Sequence, residues 1–147
     1  MRRTTYILWT LALLIIRADV SSAQNFWQPT KGPYGGDIRS IAVDSPNNLV
    51  FAATWGGGIF RSTDNGASWL AINIGLGENV VFSLAVNAIG TVFAGTTGHG
   101  LYRSTDHGDT WRASNSGLLD LEVRAIAISS SYIYVCLLYT SPSPRDS

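Results

Sequence analysis

Eight residues occur twice, forty-two positions apart, and they limit what the chain can fold into more than any other feature: Ser62-Thr63-Asp64-Asn65-Gly66-Ala67-Ser68-Trp69 and Ser104-Thr105-Asp106-His107-Gly108-Asp109-Thr110-Trp111. The shared form is Ser-x-Asp-x-Gly-x-x-Trp. Each residue type has a mechanical reason to be there. A short Asp side chain accepts hydrogen bonds from backbone N–H groups of its own turn, and Gly takes positive φ without steric cost. Trp then returns the chain as a strand and covers the turn with a large apolar face. Four positions per copy are therefore read as structural: Ser62, Asp64, Gly66 and Trp69, then Ser104, Asp106, Gly108 and Trp111.

The repeat extends well beyond the turn. Trp27, Trp69 and Trp111 share the spacing, and Phe51-Ala52-Ala53-Thr54 matches Phe93-Ala94-Gly95-Thr96 at the same offset. Ile38-Arg39-Ser40-Ile41-Ala42-Val43 matches Val81-Phe82-Ser83-Leu84-Ala85-Val86, and a third copy opens at Val123-Arg124-Ala125-Ile126. Within one copy, short apolar stretches are bounded by Gly, Asn, Asp and Ser, which is the pattern of strands and not of helices. Four strands are expected per copy: Ile38–Val43 (a), Leu49–Ala53 (b), Gly58–Ser62 (c) and Ser68–Ile72 (d), then Val81–Val86, Thr91–Gly95, Gly100–Ser104 and Thr110–Ala113. Four short antiparallel strands in about 40 residues make the blade of a β-propeller. A β-sandwich gives no reason for so regular a period.

The turn resembles the Asp-box, or bacterial neuraminidase repeat, of propellers such as sialidases, sortilin-type receptors, the photosystem II assembly-factor family and xyloglucan-cleaving glycosidases. The resemblance implies an all-β propeller fragment: a lone outer strand at Trp27, two complete blades and the start of a third. Propellers of four to eight blades need more than this.

The two ends read differently from the repeats. Met1-Arg2-Arg3, the apolar run Tyr6 to Ile16 and the small residues Ser21-Ser22-Ala23 form the pattern of a secretory signal over residues 1–23. An apolar run of eleven residues is too short to span a bilayer of about 30 Å, so no stable membrane span is expected after cleavage and the product is expected to be secreted, extracellular or periplasmic. At the other end, residues 136–147 have no counterpart in the repeats, and Cys136 to Asp146 resemble one reading frame of the transposase adapter used in short-read sequencing libraries. The propeller portion is then residues 24–135. Excluding the tail removes Cys136, the sole cysteine, and with it any disulfide or Cys-based metal site. The remaining region carries six basic and eight acidic side chains, without a basic patch to receive nucleic acid.

Strands that run up and down put successive loops on opposite ends, so the c–d turns share a face with the a–b loops. The b–c and d–a loops collect on the other face. In propeller families with a known ligand site, that second face carries a funnel at the channel mouth. The ligand-binding candidates are accordingly Thr54, Trp55 and Gly56-Gly57 in one b–c loop, Thr97, Gly98 and His99 in the next, and Tyr34, Asp37, Glu78, Asp120 and Glu122 in the d–a loops. Glycine lets backbone approach a ligand, and an exposed Trp offers a face for a sugar ring or an apolar side chain. Asp64 and Asp106 are turn-holders on the reverse side, where changes at Asn65, Ala67 or Asp109 are expected to be silent. Asp64-Asn65-Gly66 lacks the further oxygen ligands and closing Glu of a calcium loop, and neither a metal nor a cofactor is called for.

Three classes of function fit: a carbohydrate- or protein-binding module without catalytic residues in this region, a glycoside hydrolase whose catalytic blades lie elsewhere, and an assembly chaperone. The sialidase Arg-Ile-Pro motif is absent. The xyloglucan hydrolases place a catalytic carboxylate in a Thr-Asp-x-Gly-Gly turn, where this chain has Thr54-Trp55-Gly56-Gly57-Gly58. Glycosidases need paired carboxylates, and Trp55 stands in the place of one. Re-sequencing the locus with a different library chemistry should return codons other than those for Cys136 to Asp146; finding those codons in the genome would make the tail native.

Overall fold

The computed structural model describes residues 32–33, 36–130 and 132–138. The expected secretory signal, Trp27, Tyr34 and residues 139–147 lie outside the described residues. The first blade is β1 (Ile38–Asp44), β2 (Leu49–Thr54), β3 (Ile59–Ser62) and β4 (Leu70–Ala71), hydrogen-bonded in chain order and antiparallel throughout. The second repeats it as β5 (Val81–Val86), β6 (Val92–Thr96), β7 (Leu101–Ser104) and β8 (Arg112–Ala113). A two-stranded sheet, β9 (Val123–Ile128) with β10 (Ile133–Leu137), begins a third. The described residues thus form two four-stranded propeller blades and the inner half of another.

The middle strands explain why their sequence does not alternate. β6 is buried along its whole length, because each of its faces meets a neighbouring blade. Between the first two blades lie Phe51, Ala53, Ile59, Ile72, Val81 and Trp111, among others. One blade further on, Phe93 takes the place of Phe51 and packs with Leu101 against Val123 of β9. The innermost strands β1, β5 and β9 stand side by side, and the Leu84 N–H crosses to Ser40 Oγ at 3.0 Å.

The outer strands are shorter than the sequence suggests. β4 and β8 contain two residues each, and neither begins at Ser68 or Thr110. Those two residues belong to the preceding turn. The Ser68 N–H donates to Asp64 Oδ1 at 2.8 Å and its hydroxyl to Oδ2, while Thr110 does the same for Asp106. Ser62 Oγ donates to Asp64 and accepts the Gly66 N–H at 2.8 Å, and Ser104 serves Asp106 and Gly108 identically. The turn needs two left-handed residues, not one: Asn65 (φ 58°) and His107 (φ 59°) precede Gly66 and Gly108. Asn and His tolerate that region better than most side chains.

The two tryptophans differ in use. Half-buried Trp69 covers its own turn, donating from Nε1 to Gly66 O at 3.1 Å. Trp111 is buried and reaches into the preceding blade, with Nε1 to Ile72 O at 2.7 Å and its N–H to Ile74 O at 2.9 Å. It is an inter-blade bolt, not a cover. Beyond the third repeat's β9, β10 runs into the tail: Cys136 pairs with Ala125 and Leu137 with Val123. Leu137 therefore stands where Thr54 and Thr96 stand, without the hydroxyl that both use in the loop that follows.

Replacing Trp111 with Ala should cost about 3–5 kcal/mol, as for a large buried aromatic, and Trp69→Ala clearly less. Equal losses in urea melts would contradict the division of roles. The turn carboxylates give a pH signature. The Ser68 hydroxyl, then the Ser68 N–H and the Ser62 hydroxyl, lower the Asp64 carboxyl from 3.8 to about 2. The Ser104 and Thr110 hydroxyls, then the Thr110 N–H, do the same for Asp106. A carboxyl held below its unfolded value stabilises the fold above that value, and the contribution fades as pH falls through the folded one. Stability should therefore drop between about pH 4 and pH 2. The double variant Asp64→Asn, Asp106→Asn should lose stability at neutral pH and show a flatter profile across that window; an unchanged slope would assign the acid sensitivity elsewhere.

Candidate functional site

Two contacts fix which loops share a face. Asp44, at the end of β1 and buried, lies 3.6 Å from His107 Nδ1 of the second c–d turn, so a–b loops and c–d turns do lie together. On the opposite end the b–c loops interlock with the d–a loops of the following repeat. Trp55 pairs with Val80 as an isolated bridge, Gly56 and Gly58 both donate to Asn79 O, and the Gly100 N–H donates to Leu121 O, while the Thr97 N–H donates to Val80 O at the entry to its own blade. The segment 78–80 is thereby held between the loops carrying Trp55 and His99.

Each b–c loop is a rigid support. Thr54 is fully buried; its hydroxyl donates to Gly58 O and accepts the Gly57 N–H, both at 3.0 Å. Thr96 repeats the first bond at 2.8 Å. Asn73 clamps the loop from the end of β4, accepting the Ile59 N–H and donating to Gly57 O, and Asn115 repeats this for Leu101 and His99. Gly58 is required there: its φ is 77°, and a Cβ would lie 2.4 Å from the Asn73 side chain. Thr54 is committed to the loop's interior, while Trp55 at the loop's start is 45% exposed.

The rim of this face is built from bulges. Pairing skips Arg39 between Ile38 and Ser40, Phe82 between Val81 and Ser83, and Arg124 between Val123 and Ala125. A bulge re-aims one side chain out of the pleat, and here it does so at the same position in three successive inner strands. The result is a continuous row. The Arg39 guanidinium lies 4.7 Å from the Trp55 ring centre, Trp55 meets Phe82 edge to face at 5.2 Å, and the Arg124 guanidinium stacks 4.0 Å from Phe82. Such contacts fix ring orientation, and they leave Trp55 exposed while Phe82 is partly buried.

His99, half exposed, lies against the d–a loop on the same end of the blades, with Nδ1 3.7 Å from Glu78 Oε2 and 3.4 Å from Thr97 O. Thr97 Oγ1 is buried and makes no hydrogen bond among the described residues. The carboxylates are engaged in holding backbone or arginine. Glu78 accepts the N–H groups of Asn79 and Val80, Asp120 that of Glu122, and Asp37 and Glu122 pair with Arg39 and Arg124. Chemically the face offers flat rings flanked by guanidinium and imidazole groups, a surface suited to stacking and hydrogen bonding. Sequence reasoning singled out Trp55 and His99 but not Arg39, Phe82 or Arg124. All three are second in matched strands, and their shared column marks them as equivalent without showing that they bulge. The Asn73–Asn115 pair, forty-two apart, was equally available and equally missed.

No family model matches this sequence, and no curated protein matches it. Solved structures do. An ancestral GH74 enzyme superimposes with a TM-score of 0.55 at 31% identity, over 69% of this chain and 13% of that one. The GH74 enzyme of Niastella koreensis superimposes with a TM-score of 0.50 at 23% identity, over 67% of this chain and 19% of that one. The chain therefore spans less than a fifth of the length of either structure, and its blades share their fold.

Proposed function

We propose that this chain is part of a secreted Asp-box β-propeller that binds a carbohydrate on the face bearing Trp55, Phe82 and His99. One observation carries the reading: the bulged rim residues and Trp55 form an ordered row of two rings between two arginines, with Trp55 exposed and Phe82 partly buried, on the end of the blades where glycine-rich loops meet. Carbohydrate sites place flat apolar faces against pyranose rings and polar side chains against their hydroxyls, and this row supplies both. The likeness to two GH74 enzymes supports a saccharide over a protein ligand. The hydrogen-bonded Ser-x-Asp-x-Gly turns support the Asp-box assignment, with Asp64 and Asp106 committed to their own turns. Secretion rests on the leader over residues 1–23, and the native part of the propeller is residues 24–135.

A second reading has support of its own. The 31% identity to an ancestral GH74 enzyme favours a glycoside hydrolase in which this region binds part of the glycan and the reacting carboxylates stand on blades beyond it. Release of reducing ends from β-glucan oligosaccharides by the intact gene product separates the two, since a binding module releases none.

In that intact product, Trp55→Ala and Phe82→Ala should each weaken oligosaccharide binding by about 1 kcal/mol, roughly fivefold in Kd. His99→Ala should weaken it also, while Asn65→Ser and Ala67→Ser leave it unchanged. Asp109, expected from its turn to be silent, pairs with Arg61 across the blade junction at 2.7 Å, so its replacement should lower stability without altering affinity. Calorimetry finding parent-like binding in Trp55→Ala, with binding abolished by a change at Ala67, would move the site to the other face.

A further inference from the structure

The two junctions along the rim have the same backbone and different fillings. The Trp55 N–H donates to Asp37 O at 2.9 Å and the Thr97 N–H to Val80 O at 3.2 Å, each at the entry to its own blade. The Gly58 N–H donates to Asn79 O and the Gly100 N–H to Leu121 O, each in the d–a loop that leads into the next blade. Positions 55 and 97 are therefore equivalent. At the first junction the indole of Trp55 lies between two bulge residues, the Arg39 guanidinium of its own blade at 4.7 Å and the Phe82 ring of the next at 5.2 Å. At the second junction the corresponding flanks are Phe82 and Arg124, and Thr97 stands where the indole would be. With no ring between them the flanks meet directly, the Arg124 guanidinium 4.0 Å from the Phe82 ring centre.

Three further observations make the second junction a place for a ligand ring. Thr97 Oγ1 is buried without a hydrogen-bond partner among the described residues, whereas the hydroxyl of Thr96 beside it is committed to Gly100 O. A buried hydroxyl left unpaired is costly, and a ligand hydroxyl would complete it. Gly98, next along the loop, borders open space, since a Cβ there would meet nothing within 4 Å. Arg124 is a movable cover: its side chain is 38% exposed and paired with Glu122, and a guanidinium on a ring at an exposed site is held weakly. We propose that the second junction receives one pyranose unit of the bound glycan in the place that Trp55 fills at the first. The sugar stacks on Phe82, Arg124 swings off that ring while keeping Glu122, and one sugar hydroxyl bonds to Thr97 Oγ1. This subsite rests on the reading that this face binds carbohydrate. Position 97 is then a specificity-determining residue of the rim, because Trp closes a junction that Thr opens.

The test is calorimetry on the full chain, with the β-linked hexaoses of glucose, xylose, mannose and N-acetylglucosamine as probes. Thr97→Trp installs the ring that position 55 already carries on an equivalent backbone. It should weaken binding of whichever hexaose the parent binds by about tenfold or more, with the melting temperature unchanged or raised. Thr97→Val keeps the shape and removes the hydroxyl, and it should weaken binding about fivefold without lowering the melting temperature. Should Thr97→Trp fail to fold, Thr97→Val decides alone. A lower melting temperature in Thr97→Val with parent-like affinity makes the hydroxyl structural and overturns the proposal. Parent-like affinity in both Thr97 variants, with Trp55→Ala and Phe82→Ala weakened, overturns the subsite and leaves the carbohydrate face standing. Parent-like affinity in all four variants, or binding of none of the hexaoses by the parent, removes the carbohydrate reading and the subsite with it.

Discussion

A four-stranded blade has no interior of its own. Its sheet is one layer thick, so every apolar side chain on it must be covered by the blade before or the blade after. In this chain that constraint appears as β6, all five residues of which are buried, and as Phe51, which is fully buried in a cluster shared with the second blade. The polar contacts follow the same rule. Trp111 bonds to Ile72 and Ile74, the b–c loops bond to Asn79, Val80 and Leu121, and Arg61 bonds to the next turn. Folding is accordingly a property of neighbours. The open inner half-blade β9–β10, with Ile126, Ile128, Val135 and Leu137 only partly buried, is what one uncovered side looks like.

That rule also explains what could be read from the residues. The forty-two-residue spacing placed the four strands of each blade, because a turn that needs Ser, Asp and Gly at fixed offsets recurs wherever the backbone repeats. Strand ends were less legible. β2 and β6 run one residue beyond Ala53 and Gly95, since Thr54 and Thr96 still pair, and β3 and β7 start one residue later than expected because Gly58 and Gly100 have positive φ. The outer strands shrank because Ser68 and Thr110 serve the carboxylates behind them. Trp111's partner could not be inferred locally, since Ile72 is thirty-nine residues away and lies in another blade.

At the candidate site the limit was of a different kind. Trp55 and His99 could be assigned to one face because loop parity follows from counting strands. Their surroundings could not, because a β-bulge leaves no mark in a run such as Ile38-Arg39-Ser40. Without the bulge, Arg39, Phe82 and Arg124 would alternate with buried neighbours as ordinary strand residues. With it, all three turn to the rim and meet Trp55. A backbone irregularity repeated in three blades thus converts strand positions into surface.

Comparing the copies with one another separates the two uses of the repeat. Where the same backbone problem recurs, the same residue type recurs: Asp64 with Asp106, Thr54 with Thr96, Asn73 with Asn115, Gly58 with Gly100. Each makes the same hydrogen bond or takes the same left-handed φ in both blades. The copies differ in the c–d turns, as at Asn65 and His107, and also on the face of the b–c loops. Trp55 stands opposite Thr97, Gly57 opposite His99, and Phe82 between two arginines. A radial array presents every such position to the same mouth, so each blade is free to offer a different side chain at a site whose geometry all blades share. Shared positions build the scaffold, and the unshared positions leave the rim of each blade chemically different.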